Sequence, residues 1–392
     1  MRSGRQLAIT KEGQGAARLM LAGASATFLG VGMQRFAYSL LLPAMIGAGW
    51  LGAGAAGALG AANLGGYLAG ALLGPPLGQK FGLIPALRAA MLAAAGSFVL
   101  CAVDGGFLWF CFWRVLAGIA GGALMVLAGP AVQAAIAPRW RGLAAGFTFT
   151  GVGSGIVFGA LAVPLLLHVG LAATWAVLGA AAFLLCAMAW RLWPAVAPAP
   201  RRALFSGLRH GASLRLIAAY AMAAVAATPH MLWWPDFITR GLARGTNAGS
   251  AFWLLFGVSA AAGPALWGRL ADFLGLRWAL VLALLAQVID TALPLFARGL
   301  PALSLSTIVA GATATGVSGL FLLCTRSVGG EGAPALWSLA TAAYGAAQTL
   351  IGFVLACLYA TTGSHLPLFE IGLGGAILTL PLAHGLHFPT RD

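Results

Sequence analysis

The chain alternates long apolar stretches with short polar tracts over nearly its whole length. Apolar runs lie at 19–46, 52–77, 87–103, 107–131, 143–167, 171–193, 214–238, 249–267, 278–297, 301–324, 334–360 and 366–388. They are dense in Ala, Leu and Gly, and their lengths lie near or above the ~20 residues a helix needs to cross a bilayer. A membrane barrel would instead show shorter segments alternating at every second residue. The pattern predicts an all-α membrane protein of twelve transmembrane helices. Between the sixth and seventh runs stands "RLWPAVAPAPRRALFSGLRHGASLR", rich in Pro and Arg. It divides the chain into an N-terminal six-helix bundle over 1–193, a linker over 194–213 and a C-terminal six-helix bundle over 214–392.

An internal repeat supports two pseudo-symmetric halves. "GPPLGQKFGLIPALR" follows the second run, and "GPALWGRLADFLGLRWAL" follows the eighth. Gly82 corresponds to Gly275 and Pro43 to Pro235, at offsets of 193 and 192 residues. Parallel repeats of this kind are a transporter architecture.

Composition agrees. Of 392 residues, 61% are hydrophobic and 8% charged, and the mean hydropathy is +0.94. Soluble domains are about 25% charged. The net charge of +14 does not indicate nucleic acid, because the basic residues sit in short tracts between apolar runs and not on one clustered face. They act as topology signals. With the N-terminus inside, the cytoplasmic segments hold most of the Lys and Arg, and the opposite side holds only Arg240, Arg244 and Arg298. That bias places both termini in the cytoplasm. Abundant Ala, with Arg far above Lys, hints at a GC-rich bacterial genome and so at a bacterial inner membrane. The basic N-terminus and Ala24-Ser25-Ala26 imitate a signal peptide, but the apolar run continues to about Met45. An uncleaved first helix is expected.

Cys101, Cys111, Cys186, Cys324 and Cys357 fall in or at the ends of apolar runs without metal-ligand spacing, so disulfides and metal sites are not expected. "HGLH" (His384–His387) lacks a third ligand nearby. "GVSG" (Gly316–Gly319) has the form of an intramembrane serine protease motif, but no histidine is placed to serve it. No nucleotide-binding loop and no cofactor are expected.

"GRLADFLGLR" (Gly268–Arg277) is the most specific motif. Its pattern resembles the signature loop of the major facilitator superfamily. "RVLAG" (Arg114–Gly118) is similar to that superfamily's fourth-helix motif, and "APRWRGLAAG" (Ala137–Gly146) to its approach into the fifth helix. "RFAYSLLLPAM", "ANLGGYLAGALLG" and "ALWGRLAD" resemble the YbfB/YjiJ-type branch. The resemblance implies alternating access around a cavity lined by the first, fourth, seventh and tenth helices. It implies no enzyme activity. Within the loop, Gly268 and Gly275 permit close approach and a tight turn. Asp272 is expected to act with Arg277 as a conformational latch, accepting hydrogen bonds from a neighbouring helix N-terminus. In the first-half copy Gln79 takes the acidic position, which weakens a latch there.

Candidate chemistry centres on Arg35, the only charged residue between Arg18 and Lys80. A central arginine costs at least ~2.5–3.5 kcal/mol in a bilayer and should face the protein interior. At ~1.5 Å rise per residue, Arg35, Arg114 and His230 fall at similar depth. A guanidinium offers paired donors to a carboxylate. The expected substrate site is therefore Arg35, Ser39, Arg114, His230, Trp234 and Thr315, holding a small organic anion. His230 and Asp290 are the proton-coupling candidates, Asp290 with a structural hydrogen bond as its bland alternative. The Trp233–Trp234 pair can equally be an interfacial aromatic belt. Asp236 and Glu370, near the outer ends, are expected to be solvated. The expected partners are a small-molecule substrate, protons and lipid, with the chain acting as a monomer. The alternatives are multidrug or metabolite efflux, and a non-transporting membrane enzyme or scaffold.

Overall fold

A computed structural model describes residues 2–193 and 211–386. Of the linker expected at 194–213, residues 194–210 lie outside the described residues. Among the described residues the chain forms twelve helical rods and no strand. Rod α1 runs as Arg2–Thr27, a π-helical stretch Phe28–Ala37, and Tyr38–Gly47. Next come α2 (Ala53–Phe81), α3 (Leu83–Leu100), α4 (Gly106–Ala135), α5 (Arg141–Leu167) and α6 (Leu171–Trp190). The second half holds α7 (Gly211–Asp236, ending in π-helical Phe237–Gly241), α8 (Gly245–Leu274), α9 (Leu276–Phe296), α10 (Leu300–Gly329), α11 (Ala333–Thr362) and α12 (Leu366–His384). Lipid offers no hydrogen bonds, so each spanning segment must satisfy its own backbone. The rods exceed several apolar runs because their polar ends remain helical: α8 begins four residues before its run and ends seven after it.

The repeat is visible in the backbone. Gly82 joins α2 to α3 at φ +93°, and Gly275 joins α8 to α9 at φ +87°. L-residues rarely adopt this region, so glycine is required at both corners. Large apolar side chains face outward along the rods, among them Leu165, Leu184, Met188 and Leu350. In water such a surface would aggregate; in a bilayer it is the solvated face.

The halves meet through small residues. On α5, a Cβ at Gly146 would overlap the Pro264 carbonyl of α8, and one at Gly153 would overlap the Ala261 backbone nitrogen. Without a hydrophobic driving force between helices, such close approach supplies the packing. Gly153→Leu is therefore expected to lower the melting temperature of the detergent-purified protein, by the ~1–3 kcal/mol typical of overpacking. An unchanged melting temperature would contradict this contact.

Further cross-half contacts lie toward the face that carries the termini. Leu322 of α10 packs on Gly129 of α4. Arg326 Nη1 donates to the Gln133 carbonyl at 3.1 Å. Trp337 Nε1 donates to the Met125 carbonyl at 3.2 Å, and Ser338 donates to the Ala71 carbonyl. These contacts close the terminus-side end of the seam. Beyond them, toward the opposite face, the halves leave a cavity.

Candidate functional site

The cavity has a volume of about 270 Å³. Rod α1 supplies Arg35, Phe36, Tyr38 and Ser39; α2 supplies Gly60, Asn63 and Leu64; α4 supplies Arg114. From the other half come Met231 and Leu232 of α7 and Thr349, Gly352 and Phe353 of α11. Ligand pockets commonly span ~300–1,000 Å³, so this one suits a small molecule.

Arg35 lies in the π-helical part of α1. Its Nη2 is buried without a hydrogen-bond partner, and its guanidinium carbon stands 5.4 Å from the Phe36 ring centroid. Its ionisable neighbours are the phenols of Tyr67 and Tyr344. Among the described residues no carboxylate pairs with it.

Arg114 is 2% exposed and has a different environment. Its Nη2 donates to the Gln34 carbonyl at 2.9 Å, and its Nη1 to Gln34 Oε1 at 3.2 Å. Its guanidinium lies 4.3 Å from the Tyr38 ring centroid. A π-helix shifts its ladder from i+4 to i+5 and often marks functional sites; here Arg114 caps a carbonyl of that stretch. Gln34 is itself fixed from α3, donating to Ser97 Oγ at 2.8 Å and to the Ala94 carbonyl. Asn63 Nδ2 donates to the Arg114 carbonyl at 2.9 Å. Arg114 thus lines the cavity and also braces α1.

Of the expected site, the structure brings Arg35, Ser39 and Arg114 to one cavity and turns His230, Trp234 and Thr315 away from it. His230 is 2% exposed and lies between α7, α10 and α12. Its Nε2 stands 2.9 Å from Ser306 Oγ, and its ring packs at 4.5 Å from Trp234 and 5.2 Å from Phe369. Trp234 is fully buried, with Nε1 donating to Thr307 Oγ1 at 3.0 Å. It does not sit in an interfacial belt. Thr315 donates to the Ala260 carbonyl of α8 at 2.7 Å. The polar side of α10 therefore serves packing within its own bundle.

Asp290 is 2% exposed. Its Oδ1 accepts from Thr291 at 2.8 Å, and its Oδ2 from Thr313 at 3.0 Å. Ser306 Oγ donates to the Asp290 carbonyl at 2.8 Å. One buried chain thus links His230 through Ser306 to the Asp290 backbone. Asp236, expected to be solvated, is instead paired: its Oδ2 stands 2.7 Å from His365 Nε2, and Arg240 binds its Oδ1. The fold brings the α11–α12 loop over the end of α7, a contact invisible in local sequence. Glu370 is exposed.

The signature loop lies at the terminus-side seam. A Cβ on Gly142 would overlap the Asp272 carboxylate, so Asp272 faces the first turn of α5, across the two halves. A Cβ on Gly268 would lie 2.6 Å from the Gly142 carbonyl. Gly275 forms the corner described above, and Arg277 is exposed.

Two six-helix halves closed at one end, with a cavity on their seam, are the architecture of a membrane transporter. The comparisons agree. The chain matches, over residues 27–384, the family described as "Uncharacterised MFS-type transporter YbfB", and it belongs to that family of major facilitator superfamily transporters. No curated protein sequence matches it. Its fold is similar to the human organic anion transporter MFSD10 (TETRAN), with a TM-score of 0.72 and 17% identity, over 94% of this chain and 99% of that one. It is also similar to a double-tryptophan mutant of XylE, with a TM-score of 0.78 and 14% identity, over 97% of this chain and 98% of that one. The protein is a multi-pass membrane secondary transporter and not an enzyme.

The residues that sequence reasoning missed are Tyr38, Asn63, Thr349 and the apolar wall of Met231, Leu232 and Phe353. Asn63 carried a signal: it is the lone amide side chain in the second apolar run.

Proposed function

We propose that this transporter moves a small organic anion across the bacterial inner membrane by alternating access, with Arg35 as the anchor for the anion. The carrying observation is the Arg35 guanidinium: it faces a cavity, has a buried donor without a partner, and has no carboxylate beside it. A cation is retained in such a place when a ligand supplies its counter-charge. Arg114 adds positive field, and Ser39 adds a hydroxyl one turn from Arg35. The sidedness of Lys and Arg puts both termini in the cytoplasm. The cavity then opens outward, and the closed end faces the cytoplasm. The chain works as a monomer, since each half completes the site of the other. Asp272 latches the closed end by lying against the positive end of α5.

The reading is tested by a thermal-shift screen of the purified protein against organic anions. A ligand at about 100 times its Kd stabilises the folded state by ~2.7 kcal/mol. Stabilisation by an anion, lost in Arg35→Gln, is the expected result. Stabilisation by lipophilic cations alone would favour drug efflux.

Proton coupling in this scheme uses His230 as the carrier, with Asp290 as the second candidate. Histidine is the side chain that ordinarily changes charge near neutral pH. His230→Gln is expected to abolish pH-driven accumulation in proteoliposomes while exchange of substrate for substrate persists. Unchanged pH dependence would exclude His230 and leave Asp290 as the carrier.

A further inference from the structure

We infer that the ligand of this cavity is a monovalent anion with an apolar body, a monocarboxylate carrying an aliphatic or aromatic tail, and that dicarboxylates and hydroxyl-rich acids are excluded. This rests on the anion reading above and narrows it.

The inference follows from which hydrogen-bond donors remain open. Both Nη groups of Arg114 donate to Gln34, its Nε is buried, and the whole side chain is 2% exposed, as Tyr38 is 4% exposed, so neither residue presents an open donor to the cavity. The amide of Asn63 donates to the Arg114 carbonyl. The hydroxyl of Thr349 donates to the Gly345 carbonyl at 2.8 Å. What remains is Arg35 and the exposed hydroxyl of Ser39, which forms no hydrogen bond with any described residue. These two are four residues apart on α1. They make one cradle, of a size for one carboxylate.

The facing wall has the opposite chemistry. Met231, Leu232 and Phe353 present a thioether, an isobutyl group and a ring. Leu232 is 44% exposed and Phe353 58% exposed, so neither is locked inside a bundle core. A carboxylate head on α1 leaves the rest of a ligand against this wall. A second carboxylate would have to lose its water there without a donor to receive it. Burying an unpaired charge costs far more than burying a methylene gains. The positive field of Arg114 strengthens the first carboxylate's binding, but its guanidinium, 2% exposed and held against Gln34 and Tyr38, presents no accessible fork to a second. Sugar-like acids meet the same difficulty: each hydroxyl set against the apolar wall loses its hydrogen bonds. The volume of about 270 Å³ limits the tail to a short one.

The test is a binding series on the full-length protein in nanodiscs. The ligands are butyrate, hexanoate, octanoate and phenylacetate, against succinate, glutarate and gluconate. Affinity of the monocarboxylates is expected to rise up to ~4-fold per methylene until the cavity is full. Dicarboxylates of matched length are expected to bind at least ~100-fold more weakly, a factor of ten being ~1.4 kcal/mol. Arg35→Gln should remove binding of the whole series. Phe353→Ser should weaken octanoate more than butyrate. Tight, Arg35-dependent binding of succinate or glutarate would overturn the inference and leave the anion reading standing. Equal loss for octanoate and butyrate in Phe353→Ser would overturn the placement of the tail. If no acid binds, or if binding ignores Arg35, the anion reading itself fails, and this inference with it.

Discussion

Arg35→Gln is expected to lower anion affinity by at least ~30-fold, and Arg35→Lys by ~10-fold or more. Glutamine keeps a hydrogen-bond donor but loses the charge, and the carboxylate then faces the cavity without its counter-ion. Truncating one partner of a desolvated charge pair costs ~2–5 kcal/mol. Lysine keeps the charge but replaces a planar fork with a point charge, so one of two parallel hydrogen bonds is lost, worth ~1.5–3 kcal/mol for a charged group. Folding should survive both changes, because Arg35 makes no hydrogen bond with any described residue. Arg114 should respond differently. Its guanidinium holds Gln34 and stacks on Tyr38, so Arg114→Gln should lower the melting temperature as well as the affinity. Isothermal titration beside thermal unfolding separates the two roles. Equal melting-temperature loss in the Arg35 and Arg114 variants would mean that Arg35 too is structural.

The second large effect is expected at the closed end. Asp272→Asn should reduce transport by up to about five-fold while leaving the amount of folded protein nearly unchanged. Asp272 faces the first turn of α5 across the seam. Asp272 is exposed, and an exposed carboxylate at a helix N-terminus gains ~0.3–1 kcal/mol. One kcal/mol shifts a two-state equilibrium by about five-fold at ~1.4 kcal/mol per factor of ten. The mutant should therefore favour the state in which this end is open. Cysteine-accessibility labelling at Gly129 and Leu322, which touch across the seam, should then rise. Normal flux and unchanged labelling would remove Asp272 from the mechanism.

The fold was legible because a bilayer imposes one rule on every segment. A backbone in lipid must be helical, so apolar length alone located the twelve rods, and the glycine corners at Gly82 and Gly275 marked the two halves. The cavity was partly legible. Arg35 stood out as a lone charge, and Ser39 followed at i+4. The second half misled for a physical reason: a helix in this fold has two buried faces, one toward the cavity and one toward its own bundle. Both tolerate Ser, Thr, His and Trp, since both satisfy polar groups internally. Residue spacing along α10 could not say that Thr315 meets Ala260 of α8, or that Thr307 meets Trp234. Helical phase is also a poor guide in α1. At 3.6 residues per turn Ser25, Gly32, Arg35 and Ser39 would share one side, but the π-helical stretch Phe28–Ala37 breaks that phase. Gly32 packs on α5 instead, where a Cβ would meet the Val152 carbonyl at 2.7 Å. No residue pattern in that stretch announced the π-helix.

The most direct test is counterflow of a radiolabelled monocarboxylate, such as hexanoate, in proteoliposomes that hold wild-type protein or Arg35→Gln in equal amounts. Wild-type vesicles loaded with unlabelled hexanoate should accumulate the label transiently, unlabelled octanoate outside should compete, and Arg35→Gln vesicles should fall to the level of protein-free liposomes. Equal counterflow in the two proteins would contradict a binding role for Arg35, and counterflow of a lipophilic cation in place of any acid would contradict the anion site outright.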